Sequence, residues 1–307
     1  MNIEIVLPLL AATVQSGTPV LYATLGEIIT EKAGILNLGV EGMMITGALA
    51  AFVVSSLTGS PWYGFLAGGL CAAALSSLHA LVCLFFQGNQ VVSGLALTIL
   101  GTGLADYLGT PFIGQKAPGF APLPLPVLSE IPLLGTVFFA QDILVYISFL
   151  LPLFLWWVLK YTRWGLELRA VGEYPRAVAA AGLPLHLLRT AGVLFGGFLV
   201  GLGGAYLSLA YTHMWSNGLT AGRGWIAVAL VIFAFWRPGR AVFGAYLFGG
   251  VMAFQLRLQA MGANLPSSLL LMLPYTLTII VLVLSSRKAK RKDDAPAWLG
   301  RNVLPEE

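Results

Sequence analysis

Four ionisable side chains stand inside or beside long apolar stretches of the 307-residue chain: Glu41, Asp106, Arg223 and Arg257. Amide side chains accompany them at Asn37, Gln90 and Asn217. Groups of these types can titrate to couple an ion or hydrogen-bond a polar solute. They do not assemble a nucleophile with a base. The histidines, His79, His186 and His213, are scattered, so an intramembrane enzyme finds no metal or nucleophile constellation here. Cys71 and Cys83 lie in one apolar run without the spacing of a metal site or a disulfide framework, and read as small packing residues.

The elements that must position these groups are helices in a bilayer. Hydrophobic residues make up 58% of the chain and charged residues only 10%, against about a quarter charged in an average soluble domain. Apolar runs near the roughly 20 residues that cross a bilayer recur from end to end. The expected fold class is all-α, a polytopic transmembrane bundle of about nine spans: Ile5 to Leu25, Ala33 to Leu57, Trp62 to Phe86, Val91 to Gly109, Ile143 to Leu159, Leu187 to Thr212, Trp225 to Trp236, Ala241 to Gly262 and Ser267 to Ser285. Residues 1–286 form one membrane domain, and 287–307 a basic, disordered cytoplasmic tail. The first apolar stretch opens at Glu4 without a basic leader, ends at Glu27 and offers no small-residue cleavage site, so it reads as a span and not a signal peptide.

Lys and Arg in short loops mark the cytoplasmic side. Placing Lys160 to Arg189 inside also puts Lys32, Arg237, Arg240, the cluster from Arg287 to Lys292 and Arg301 inside, leaving only Lys116, Arg223 and Arg257 outside or in the membrane. The N-terminus is then outside and the C-terminus inside. The net charge of +4 thus speaks of orientation and of contact with anionic lipid, not of nucleic acid. The loop from Thr110 to Gln141, rich in proline, reads as an ordered outer cap. Trp62, Trp156, Trp157, Trp164, Trp215 and Trp236, at span boundaries, read as interfacial anchors.

A charge at membrane depth costs at least about 2.5 to 3.5 kcal/mol, so such residues face protein or water. Glu41 follows a run from Ala33 to Gly42 whose glycines and asparagine weaken a helix where the second span should begin. That segment either lines a path, or Glu41 serves as a structural partner for neighbouring backbone. A second weak stretch runs from Ser216 to Gly224, after which 13 residues separate Arg223 from Arg237. A helix that short reaches about 20 Å, less than the roughly 30 Å core, so part of the 216–224 stretch must dip into the membrane. Irregular backbone at that depth is tolerated only inside protein or along a wet cavity. The two weak segments approach from opposite sides in the two halves of the chain, the pattern of an inverted repeat with broken helices near the midplane. Asn37, Glu41, Gln90, Asp106, Asn217 and Arg223 are the candidates for a translocation path. Gln90, Ser93 and Thr98 fit either a solute or an adjacent helix. The glycines of the sixth span, including Gly192, Gly196, Gly197, Gly201 and Gly204, predict close helix contact.

The largest polar interruption on the inner side lies within 161–186. Pro175 suits a first helical position, Ala177 to Ala181 propagate a helix and Gly182 suits its C-terminal cap, which predicts a short surface helix.

Two stretches carry a family resemblance. Glu31-Lys32-Ala33-Gly34-Ile35-Leu36-Asn37-Leu38-Gly39-Val40-Glu41-Gly42-Met43-Met44 is similar to an early signature of the nucleoside branch of ATP-binding cassette importer permeases, in the branched-chain amino acid and simple sugar class. Leu168-Arg169-Ala170-Val171-Gly172-Glu173-Tyr174-Pro175-Arg176-Ala177, on to Gly182, resembles that family's coupling loop. The resemblance implies import of nucleosides or a related small polar solute, with simple sugars or branched-chain amino acids as alternatives. It also implies a cytoplasmic ATPase that holds ATP and Mg, a second permease in a heterodimer, and an extracytoplasmic solute-binding lipoprotein. Arg169, Gly172, Glu173, Pro175, Arg176, Ala179 and Gly182 are the implied coupling residues. With no Gly-Lys-Ser/Thr phosphate cradle in the chain, ATP hydrolysis falls to another subunit. The competing expectation is an ion-coupled secondary transporter that titrates Glu41 or Asp106.

Overall fold

The computed structural model describes residues 3–261, 266, 269–270, 272–288 and 295–302. Helices dominate them: α1 Ile3–Lys32, α2 Val40–Thr58, α3 Pro61–Ala80, α4 Gln90–Gly109, α5 Ile143–Tyr161, α6 Arg163–Glu173, α7 Pro175–Ala180, α8 Leu185–Tyr206, α9 Arg223–Phe233, α10 Pro238–Ala260 and α11 Leu273–Lys288. Seven of them, α1 to α5, α8 and α10, are long and apolar enough to cross a membrane, some with short 3-10 or π-helical extensions. With α9 and α11 they stand where nine spans were expected. Gly262 and residues 267–268, at the ends of the last two expected spans, lie outside the described residues, as do Lys290, Arg291 and Lys292 of the basic cluster.

Helices α1 and α8 form the centre. From Val20 to Glu31 the side chains of α1 are buried almost without interruption, against α8 and α10. The glycines of α8 let three neighbours approach at once. A Cβ on Gly196 would meet the Gly26 carbonyl of α1, one on Gly197 the Ser76 side chain of α3, and one on Gly204 the Met44 carbonyl and the Ala48 amide of α2. Close helix contact is therefore what the glycine spacing serves.

Several elements differ from the sequence reading. Helix α1 does not stop at Leu25 but continues to Lys32. Glu27 and Glu31, which look like the end of an apolar stretch, are buried and held by Asn37 and by the indole N–H of Trp236, respectively. Trp215 and Trp236 are not interfacial anchors: Trp215 is fully buried against Gly109, and Trp236 turns inward to Glu31. Arg257 is exposed in the last turn of α10, where a cation is favoured by the helix dipole. Residues 287–288 continue α11.

Residues 295–302, expected in a disordered tail, are instead docked against the face that carries the α6–α7 loop. Trp298 N donates to Gly172 O (2.9 Å), Ala297 N to Glu173 Oε2 (3.2 Å), and Asn302 Nδ2 to Gln87 O (2.6 Å). Buried Pro296 and the packing of Leu299 against the main core supply the apolar anchorage that charge content alone concealed. The proline-rich 110–141 loop is an ordered cap, pinned by Phe120 N to Leu209 O (2.9 Å) and by Ser55 Oγ to Pro118 O (2.6 Å).

Candidate functional site

Between α1 and α2 the chain leaves the helix at residues 33–39. Gly34 has φ +81°, a conformation that glycine adopts at little cost, and a Cβ there would press on the Arg189 guanidinium 2.9 Å away. The backbone groups released by the break are taken up by side chains from three helices. Leu36 N donates to Gln90 Oε1 (2.8 Å), Leu36 O lies 3.1 Å from His79 Nε2, Leu38 O accepts from Thr98 Oγ1 (2.8 Å), and Asn37 N donates to Glu27 Oε1 (3.3 Å). Asn37 Oδ1 in turn accepts from Gly39 N (2.8 Å), closing a local turn just before α2. Gln90 and Thr98 are thus engaged by the adjacent break, and Ser93 by His79 Nδ1 (2.9 Å).

The second break occupies residues 212–222, with positive φ at His213, Gly218, Ala221 and Gly222. It ends where α9 begins, and there Glu41 reaches across from the first turn of α2. Its Oε1 accepts from Thr220 Oγ1 (2.5 Å) and Gly222 N (2.9 Å), and its Oε2 from Gly224 N (2.7 Å). One carboxylate therefore satisfies amides that the start of α9 would otherwise leave unpaired. The N-terminal ends of α2 and α9 both carry partial positive charge, and both stand beside it. A Cβ on Gly224 would collide with the backbone of Glu41, so glycine is what permits the approach.

Arg223, buried beside this junction, donates from Nη1 to Thr220 O (3.1 Å), and its guanidinium carbon lies 5.7 Å from the Tyr211 ring centroid. Its Nε is buried without a partner among the described residues. The 11 residues of α9 rise about 16 Å from the junction to the α9–α10 corner, roughly half of a hydrocarbon core of about 30 Å. Two irregular segments thus meet at mid-depth.

The expected path residues divide into two groups. Asn37, Glu41, Gln90 and Arg223 are buried within the chain, whereas Asp106 on α4 and Asn217 in the second break are exposed. Sequence reasoning missed Thr220, Gly222 and Gly224 as partners of Glu41, the inward turn of Glu27 and Glu31, and Arg189. Arg189 is 2% exposed, with Nε and Nη2 unpartnered among the described residues. The apolar surroundings of these groups gave no local signal of partners up to 205 residues away.

The 161–186 region folds as two helices, α6 and α7, and not one. Pro175 opens α7 and Gly182, at φ +74°, follows its end. Glu173, Arg176, Ala179 and Gly182 are exposed; Gly172 and Pro175 are buried beneath them, and Arg169 is half-buried. A Cβ on Gly172 would meet the Lys32 carbonyl and lie 3.2 Å from Gly34 N, so the end of α6 bears directly on the first break.

A helical bundle whose two breaks are joined inside it at Glu41, with an exposed two-helix loop resting on one of them, is the architecture of a membrane permease. A family model described as the permease component of the branched-chain amino acid transport system matches residues 9–282. The chain belongs to this family of ATP-binding cassette transporter permeases and is a multi-pass membrane protein. It is 46% identical, over 84% of its length and 79% of the relative's, to a provisionally named glucose ABC transporter permease of Haloferax volcanii. It is 36% identical to a nucleoside ABC transporter permease of Lactococcus lactis, covering 89% and 90% of the two chains. A guanosine ABC transporter permease of Bacillus subtilis is 30% identical, covering 91% and 92%.

Proposed function

We propose that this chain is one of two permeases in an importer that moves nucleosides into the cytoplasm. A separate cytoplasmic ATPase binds ATP and Mg and drives it, and an extracytoplasmic lipoprotein delivers the solute. The observation that carries the transport reading is the junction at Glu41, which couples the two breaks at mid-depth, where a discontinuous-helix permease handles its solute. The exposed carboxylate of Asp106, on an α4 face otherwise formed by residues such as Val92, Ile99 and Tyr107, fits a wet seam between two permeases better than contact with lipid. Asn217 is exposed in the second break, and this reading assigns both residues to the path. The charge distribution supports an N-terminus outside and an α6–α7 loop in the cytoplasm, with the docked C-terminal segment beside that loop.

Nucleoside is favoured as the solute because two of the relatives named for nucleoside or guanosine transport align over about nine-tenths of their length. The similarity to a provisionally named glucose permease supports sugar as the second reading. Uptake of labelled guanosine and uridine by cells expressing the complete importer decides between them. Excess unlabelled nucleoside is expected to suppress uptake by at least tenfold, and excess glucose to leave it unchanged. Saturable glucose uptake without nucleoside uptake would replace this assignment with a sugar one.

A further inference from the structure

On the side of the α6–α7 loop, a cavity of about 630 Å³ opens among four helices. Five cationic residues from four elements line it: Lys32 at the end of α1, Lys160 at the end of α5, Arg169 on α6, and Arg237 and Arg240 around the start of α10. Among the described residues that line it there is no carboxylate; Glu31 lies behind the wall, bonded to Trp236. A general bias of basic residues toward one face would scatter them over the loops; here they converge on a concavity.

The geometry adds to the charge. Helix α10 starts at this cavity with no side-chain cap at Arg237. A Cβ on Gly239, in its first turn, would meet nothing within 4 Å, so the start of the helix faces open space. A helix N-terminus carries about half a positive charge, which adds to the attraction for an anion. Lys160 is held at the rim with its ammonium 5.2 Å from the Trp156 ring centroid.

The surface leading from the cavity toward the bilayer centre identifies the kind of anion. One to two turns deeper, α10 exposes Phe243 and Leu247, and α5 exposes Leu153 and Trp157. A free phosphate would have no use for this apolar continuation, whereas acyl chains would cover it. We propose that the cavity binds the phosphate-bearing headgroup of an acidic phospholipid, with its tails lying along α5 and α10. Opposite charge, a helix N-terminus and an adjacent apolar track are then used by one amphipathic ligand.

Native mass spectrometry of the assembled importer, titrated with phosphatidylglycerol or phosphatidylcholine, tests the site. Wild-type protein is expected to retain phosphatidylglycerol at least tenfold more strongly than phosphatidylcholine. Lys160→Gln with Arg240→Gln, and independently Gly239→Asp, should reduce that retention at least fivefold. Arg163→Gln, at an exposed arginine that opens α6 and pairs with Glu167 outside the cavity, should leave it unchanged. Equal retention of the two lipids, or undiminished retention in the cavity variants, would overturn the proposal. Displacement by millimolar inorganic phosphate would assign the cavity to a free anion instead. Loss of the ATPase subunit from the variants with lipid retention intact would make it a protein contact.

Discussion

A Glu41→Ala permease is expected to reach the membrane in normal amount and to take up solute at less than a tenth of the wild-type rate. The side chain accepts three hydrogen bonds across the two breaks, from Thr220, Gly222 and Gly224. Leaving a buried donor without its acceptor costs about 1 to 3 kcal/mol, more when the lost partner is charged. Three such donors, with the electrostatic loss at two helix N-termini, amount to several kcal/mol concentrated at one junction. Helix α2 remains packed on α3 and α8 along its length, so the loss acts on the alignment of the breaks and not on insertion. Glu41→Gln should fall between the two: it keeps one oxygen acceptor but turns an NH2 group toward backbone donors. Uptake normalised to surface expression, with limited proteolysis of the 212–222 segment, reads both effects. Wild-type uptake by Glu41→Ala would remove the junction from the transport mechanism.

The second large effect is expected at the exposed loop. Arg176→Glu combined with Ala179→Glu should leave basal ATP hydrolysis of the assembled importer unchanged, abolish its stimulation by solute and lower uptake at least tenfold. Both side chains are exposed on α7, whereas Pro175 and Val178 hold the helix from below, so the substitutions alter a docking surface without emptying its core. Movement imposed on α7 has a short mechanical route inward: α6 ends at Gly172, which is in tight contact with Lys32 and Gly34 at the first break. Packed elements of this kind shift between discrete arrangements and do not deform continuously, which makes such a contact suitable for coupling. Stimulation by solute that survives the double substitution would separate α7 from the coupling step.

The positions of the breaks were legible because their causes are local. Gly34, Asn37 and Gly39 weaken a helix wherever they stand, and the 11-residue α9 is too short to span, whatever its neighbours. The same holds for α7, whose Pro175 and Gly182 mark its two ends. What closes the site was not legible, because it depends on pairings between distant segments. The sequence around Glu41 leaves open whether it faces a path or a neighbouring backbone; only the approach of Gly222 and Gly224 resolves its bonding. Glu27 and Glu31 resemble the end of an apolar run until Asn37 and Trp236 are brought to them. Residues 295–302 look like part of a charged tail until Trp298 and Asn302 find carbonyl partners on other elements.

Reconstitution into sealed liposomes tests the central claim most directly, with the lone chain compared with the complex of both permeases, ATPase and binding lipoprotein. Labelled nucleoside is expected to accumulate only with the complete complex and with ATP and Mg on the ATPase side, and not with the lone chain under any proton or sodium gradient. Gradient-driven accumulation by the lone chain would contradict an ATP-driven permease and return Glu41 or Asp106 to the role of a titrating, ion-coupled site.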